Sequence, residues 1–155
     1  MKLYHKKCYN FFMKKNQMDF GQNKEIKSNF LLFEKIIKDR GSIYSVSAGR
    51  VKKREDIKKF LKKLKSHKKY AKATHNSFAV RIAHQGVIYE TKSDDGEVGA
   101  GNVILRILQK RDFANIIVVI TRWFGGIKLE SDRFKHIQNG TIFILDEIEK
   151  KKKNN

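Results

Sequence analysis

The chain of 155 residues and 18.2 kDa is long enough for one compact core and short for two. Its 35 Lys and Arg against 16 Asp and Glu give a formal net charge of +19, a field that favours RNA, ribosomes, acidic protein surfaces or anionic lipid. The single cysteine, Cys8, excludes an internal disulfide and a multi-cysteine zinc site, and no run approaches the roughly 18 apolar residues of a membrane span. A cytoplasmic location with no membrane partner is the expectation. The basic N-terminus has too short an apolar run for a secretory signal, and it lacks the arginine and serine of a mitochondrial presequence. Basicity has a second source: the chain has no proline and is rich in Lys, Asn, Ile and Phe, the bias of an A/T-rich coding sequence. On that account many of the lysines are ordinary surface residues.

Residues 1–29 are polar and basic and read as a tail. From Phe30 the pattern becomes structural. Leu31–Lys38 and Ser42–Ala48, separated by Asp39-Arg40-Gly41, read as two strands joined by a tight turn. Ile57, Phe60, Leu61 and Leu64 share one face of a helix, with Glu55 and Asp56 in its first turn and lysines at its end, as the helix dipole prefers. Its outer face carries Lys58, Lys59, Lys62 and Lys63, either a solvated face or a stripe for a polyanion. Strands are expected over Thr74–Ile82 and Val87–Thr91, then a loop over residues 93–97, then a helix bearing Val103, Ile104, Ile107 and Leu108. Ile116–Ile120 is continuously apolar and β-branched, as in a strand buried on both faces. After a glycine-containing connection, Ser131 or Asp132 caps a last helix carrying Phe134, Ile137, Ile144, Leu145 and Ile148. The expectation is one α/β (α+β) domain over residues 30–149, with five strands, three helices and a basic C-terminal tail over residues 150–155.

Four constellations could carry chemistry. Asp94, Asp95 and Glu97 could hold a divalent cation, but EF-hand spacing is absent and a turn paired with nearby cations is the simpler account. Gly99-Ala100-Gly101 before a helix could receive a phosphate, yet no Walker lysine follows and the neighbouring carboxylates would repel it. His75, His84 and His136 lie on separate elements, with no nucleophile motif to complete a triad. No catalytic residue, metal or cofactor is therefore expected. The fourth is Arg122, Trp123, Phe124, Gly125 and Gly126 at the C-terminal end of the buried strand, where α/β folds build sites. Arg133 and His136 share a face of the following helix, and Gly140 one turn later allows close approach. Arg and Trp dominate binding hot spots, so this segment points to protein binding; capping the core is the competing account of Trp123 and Phe124.

Thr121-Arg122-Trp123-Phe124-Gly125-Gly126-Ile127-Lys128-Leu129 and Asp132-Arg133-Phe134-Lys135-His136-Ile137, preceded by Ala73-Thr74-His75-Asn76 and by Asp94-Asp95-Gly96-Glu97 with Ala100-Gly101, resemble the conserved domain of the IMPACT family. The eukaryotic branch is favoured over the bacterial YigZ-like proteins by Trp123 and by the 132–137 block. The resemblance spans roughly residues 34–148. It implies a fold with left-handed βαβ character, similar to a domain of a small-subunit ribosomal protein and to domain four of the ribosomal translocase. It also implies translational control in the amino-acid-starvation response, by competition for the ribosome-associated activator of the kinase that phosphorylates initiation factor 2. RNA or the ribosome is the alternative partner, and actin a further one by the same resemblance. Asp132 enters the partner-binding set with its block. The family usually has glycine and then proline or another small residue after Leu129, where this chain has Glu130-Ser131, so a differently shaped loop is expected there. Eukaryotic members normally carry an N-terminal RWD domain, which the first 33 residues are too few to hold.

Overall fold

A computed structural model describes residues 23–155. Five strands form one sheet: β1 (Leu31–Asp39), β2 (Ser42–Arg50), β3 (His75–His84), β4 (Val87–Ser93) and β5 (Ile116–Trp123). Helix α1 (Arg54–Lys65) and the single turn α2 (Lys68–Ala71) lie between β2 and β3, α3 (Ala100–Lys110) lies between β4 and β5, and α4 (Asp132–Lys153) closes the chain. The strand order is β1-β2-β5-β3-β4, with every neighbouring pair antiparallel. The apolar run of β5 is central because both its neighbours and both its faces are protein: Ile116, Val118 and Ile120 point to one side, Ile117 and Val119 to the other.

The two hairpins have the same local cause. Arg40-Gly41 and Gln85-Gly86 are two-residue turns with positive φ at both positions (46° and 83°; 48° and 77°), the mirror-image turn whose twist matches paired strands. The β1 edge is interrupted by a bulge between Phe33 and Ile37, where Lys35 has φ 53° and its N–H donates to Ser45 Oγ at 2.9 Å.

The layers follow from alternation along the strands. Val46, Ala48, Ala79, Val118 and Ile120 pack under α3 and α4, while Val80, Ile82, Ile117 and Val119 pack under Ile57, Phe60, Leu64 and Tyr70 of α1 and α2. β2 and β3 are parallel with β5 between them, and their crossover carries α1 and α2 over one face. β4 and β5 are parallel with β3 between them, and their crossover carries α3 over the other. A half-turn of the sheet in its own plane superimposes the paths of the two crossovers but leaves their helices on opposite faces. The two crossovers therefore have opposite hands, and one is left-handed against the usual preference. This is the βαβ character that the resemblance implies.

The boundaries expected at both ends shift. Ile26 is 1% exposed in the core, Lys24 pairs with Phe113, and the Arg50 N–H donates to Ser28 O, so residues 24–29 pack against the sheet and are no tail. Residues 1–22 of that expected tail lie outside the described residues. Helix α4 runs through Lys153 because its buried positions extend to Ile148 and Lys150–Lys153 suit its negative C-terminal end. Ser131 holds the cap position but makes no side-chain cap bond.

Gly49 in β2 decides how closely α1 can dock. A methyl group there would sit 2.2 Å from the Asn29 carbonyl oxygen and 2.6 Å from the Phe60 ring, a clash with backbone that cannot swing aside. Gly49→Ala is expected to destabilise the domain by about 2–3 kcal/mol in urea unfolding.

Candidate functional site

Arg122 leaves β5 on the α3–α4 side, as its register with Tyr44 and His75 dictates. It is 4% exposed, and such a cation needs an opposite charge. Glu97, 2% exposed in the loop before α3, supplies it: Arg122 Nη1 donates to both carboxylate oxygens, at 2.8 and 3.1 Å. Arg122 Nη2 donates to Ser42 Oγ at 3.2 Å, and its guanidinium lies 5.5 Å from the ring centres of Tyr44 and Phe124. Arg133 Nη1, from the first turn of α4, reaches Glu97 Oε1 at 3.3 Å, and His75 Nε2 stands 3.7 Å from Oε2. One carboxylate thus ties β3, β5 and α4 together. Thr74, His75, Glu97, Arg122, Phe124, Lys128, Leu129, Glu130 and Arg133 line a cleft of about 400 Å³.

The acidic loop does not converge on a cation. Asp94 accepts from Gly99 N at 3.0 Å and Gly101 N at 2.8 Å, occupying the N-terminus of α3 where a phosphate would bind. Asp95 accepts from Asn76 N at 2.7 Å, and Glu97 faces Arg122. Among the described residues there is no cluster of three or more metal-ligating side chains. The histidines are also apart: His75 sits in the cleft, His84 is exposed at the far end of β3, and His136 Nε2 lies 2.7 Å from Asp39 Oδ2.

The sequence grouped Arg122 with Trp123, but strand alternation sends them to opposite faces. Trp123 packs at 5.1 Å on Tyr70 and donates to the Lys69 carbonyl at 3.1 Å, outside the cleft. Phe124 is 47% exposed beside Arg122, and its N–H donates to Thr74 Oγ1. Of the two glycines, only Gly126 has positive φ, at 92°. Gly125 is required for another reason: a Cβ there would lie 1.9 Å from the Gly41 carbonyl carbon, so this loop locks onto the β1–β2 turn. That turn is the part of the site the sequence missed. Asp132 pairs with Arg40, and Asp39 bridges Arg40 and His136, which together hold its carboxyl near pH 2, Arg40 contributing most. Gly140 lets α4 approach β5, with Ile120 Cδ1 3.0 Å from where a Cβ would stand. Phe134, expected in the core, is 39% exposed and covers Gly99.

Lys58, Lys59, Lys62 and Lys63 are exposed on α1, across the sheet from the cleft. The lysines that form ion pairs among the described residues are Lys24, Lys69 and Lys150.

Residues 40–145 match the family model of the Impact N-terminal domain. The chain belongs to the IMPACT family. It is 43% identical over 111 residues to protein IMPACT-B of Xenopus tropicalis, covering 70% of this chain and 35% of that one. It is 39% identical over 140 residues to protein IMPACT of Xenopus laevis (86% and 44%), and 36% identical over 116 residues to the IMPACT homolog of Caenorhabditis elegans (72% and 45%). The chain thus spans less than half the length of these curated relatives. Among solved structures, the two-domain translational regulator Yih1 aligns with TM-score 0.54 at 34% identity, over 82% of this chain and 51% of that one. A crystal structure of a hypothetical protein aligns with TM-score 0.69 at 23% identity, over 79% and 59%, and shows the shared fold.

Glu130 has φ 52°, a left-handed backbone that glycine adopts freely and that strains any residue with a side chain. Glu130→Gly is expected to stabilise the domain by about 1 kcal/mol, seen as a higher urea midpoint. Glu97→Ala leaves Arg122 a buried, unpaired cation and is expected to cost about 3–5 kcal/mol. Glu97→Leu combined with Arg122→Met removes both charges, and its unfolding free energy should recover most of that loss.

Proposed function

We propose that this IMPACT domain is a translational regulator that acts by binding a protein, the activator of the amino-acid-starvation initiation-factor-2 kinase, and not by catalysis. The observation that carries the reading is the rim of the cleft. Four of the six large apolar side chains exposed among the described residues, Val98, Phe124, Ile127 and Phe134, lie on the segments that surround Glu97, Arg122 and Arg133; Val87 and Phe143 lie elsewhere. Apolar anchors beside a desolvated arginine make the composition of a binding hot spot. The charges of Arg122 and Glu97 are directed at each other, an arrangement suited to holding loops in place more than to attacking a substrate. Kinship with IMPACT proteins, and with a regulator of translation among the solved structures, supports the same direction. A cytoplasmic site of action belongs to this reading; RNA or the ribosome is the alternative partner, and actin a further candidate.

The test is capture from a lysate of the source organism by the immobilised full chain, with the kinase activator identified by mass. Wild type should retain the activator, and Phe124→Ala with Phe134→Ala should retain at least about tenfold less, since each is an exposed anchor whose loss leaves the core intact. Equal retention by the double variant would reject this surface. No retention by the folded wild type would reject the partner.

A further inference from the structure

A second surface lies on the opposite side of the sheet. Between α1 and the end of β2 runs a groove of about 410 Å³ lined by Asn29, Arg50, Lys52, Asp56, Lys59, Phe60 and Lys63. Four of these seven are cationic, and they stand on both walls: Arg50 and Lys52 on the strand side, Lys59 and Lys63 on the helix. The lone acid, Asp56, offsets one of these four charges and is held at the start of α1, where Lys52 N and Lys53 N both donate to its Oδ2, at 2.9 and 3.2 Å. Those bonds hold its carboxyl below the usual range and tie it to the start of α1. Arg50 reaches Glu25 only at 3.6 Å, and its Nε is buried without a hydrogen-bond partner. Lys63 lies 4.8 Å over the half-buried ring of Phe30, which in turn packs at 5.1 Å on Phe60, so an aromatic pair borders the cations.

We propose that this groove binds the phosphate backbone of single-stranded RNA, an activity beyond the protein-binding role assigned to the cleft. Shape decides between polyanions. An acidic protein face would meet the convex outer side of α1, where Lys58 and Lys62 project, whereas a narrow trough with cations on two walls fits an extended chain of phosphates. Guanidinium and ammonium groups placed along a channel beside an aromatic ring are the elements with which proteins hold single strands without reading their sequence. The residues at issue are therefore Arg50, Lys52, Lys59 and Lys63; the last three fall in the basic stretch over residues 52–72 that the sequence singles out, and Arg50 is added by the structure.

The experiment compares two variants of equal net charge in the full chain, Lys59→Gln with Lys63→Gln in the groove and Lys58→Gln with Lys62→Gln outside it. Binding of a fluorescein-labelled oligouridylate of about twelve nucleotides is followed by anisotropy at salt from about 50 to 200 mM, with circular dichroism confirming the fold. The groove variant should bind at least about tenfold more weakly at about 50 mM salt, and its log K against log salt slope should be shallower by about 1.4, or about 0.7 for each lost phosphate contact. The outer variant should stay within about threefold of wild type. Equal weakening of the two variants would overturn the groove in favour of diffuse charge. Absence of binding by wild type at about 50 mM salt would overturn RNA binding itself, and tighter binding of a poly-glutamate peptide than of the oligouridylate would assign the groove to acidic protein. None of these outcomes bears on capture of the kinase activator through Phe124 and Phe134.

Discussion

Glu97 and Arg122 hold the functional end of the domain together. Neither could be buried alone: an isolated ion in a protein interior carries a desolvation penalty of several kcal/mol, and the partner at 2.8 Å is the main offset to it. Their pairing fixes the loop before α3 against the end of β5, and Arg133 and Ser42 extend the attachment to α4 and the β1–β2 turn. Because the pair sits beneath exposed Phe124 and Phe134, it turns mobile kinds of segment, loops and helix starts, into a fixed surface. A preorganised surface loses less entropy when a partner docks.

Much of the fold could be read from pattern. The β-branched run at residues 116–120, the helix face of Ile57, Phe60 and Leu64, and the glycine-bearing turns at residues 40–41 and 85–86 each express a local preference that the tertiary structure keeps. Failures came where long-range contact overrides local character. Ile26 lies in a stretch of polar residues and looks like part of a tail until Phe113 and the sheet edge are placed beside it. Phe134 has helix-core spacing, yet the bare surface of Gly99 receives it at the rim.

The site was half legible for a similar reason. Sequence put Arg122, Arg133 and His136 in one neighbourhood; the structure brings the two arginines onto Glu97 and sets His136 against Asp39. It could not show that Asp94, Asp95 and Glu97 have three different jobs, since spacing along a loop says nothing about where each carboxylate points. Nor could it separate Arg122 from Trp123 without the pleat of β5. The clue to Glu97 was nonetheless present: an arginine at the end of a strand buried on both faces demands an acid, and the chain has few to offer. Asp39 and Arg40 were hidden by their role as turn residues, which accounted for them before any contact with α4 was known.

The position of β5 at the middle of the sheet has a consequence for how the protein is made. It is the last strand to be synthesised, yet both β2 and β3 pair with it. Until residue 123 has left the ribosome, neither the β1–β2 pair nor the β3–β4 pair can find the partner of its inner edge. Non-local pairing of this kind slows folding and leaves unpaired edges open to other chains meanwhile. The sheet thus closes only when one apolar strand fills the gap between its two halves.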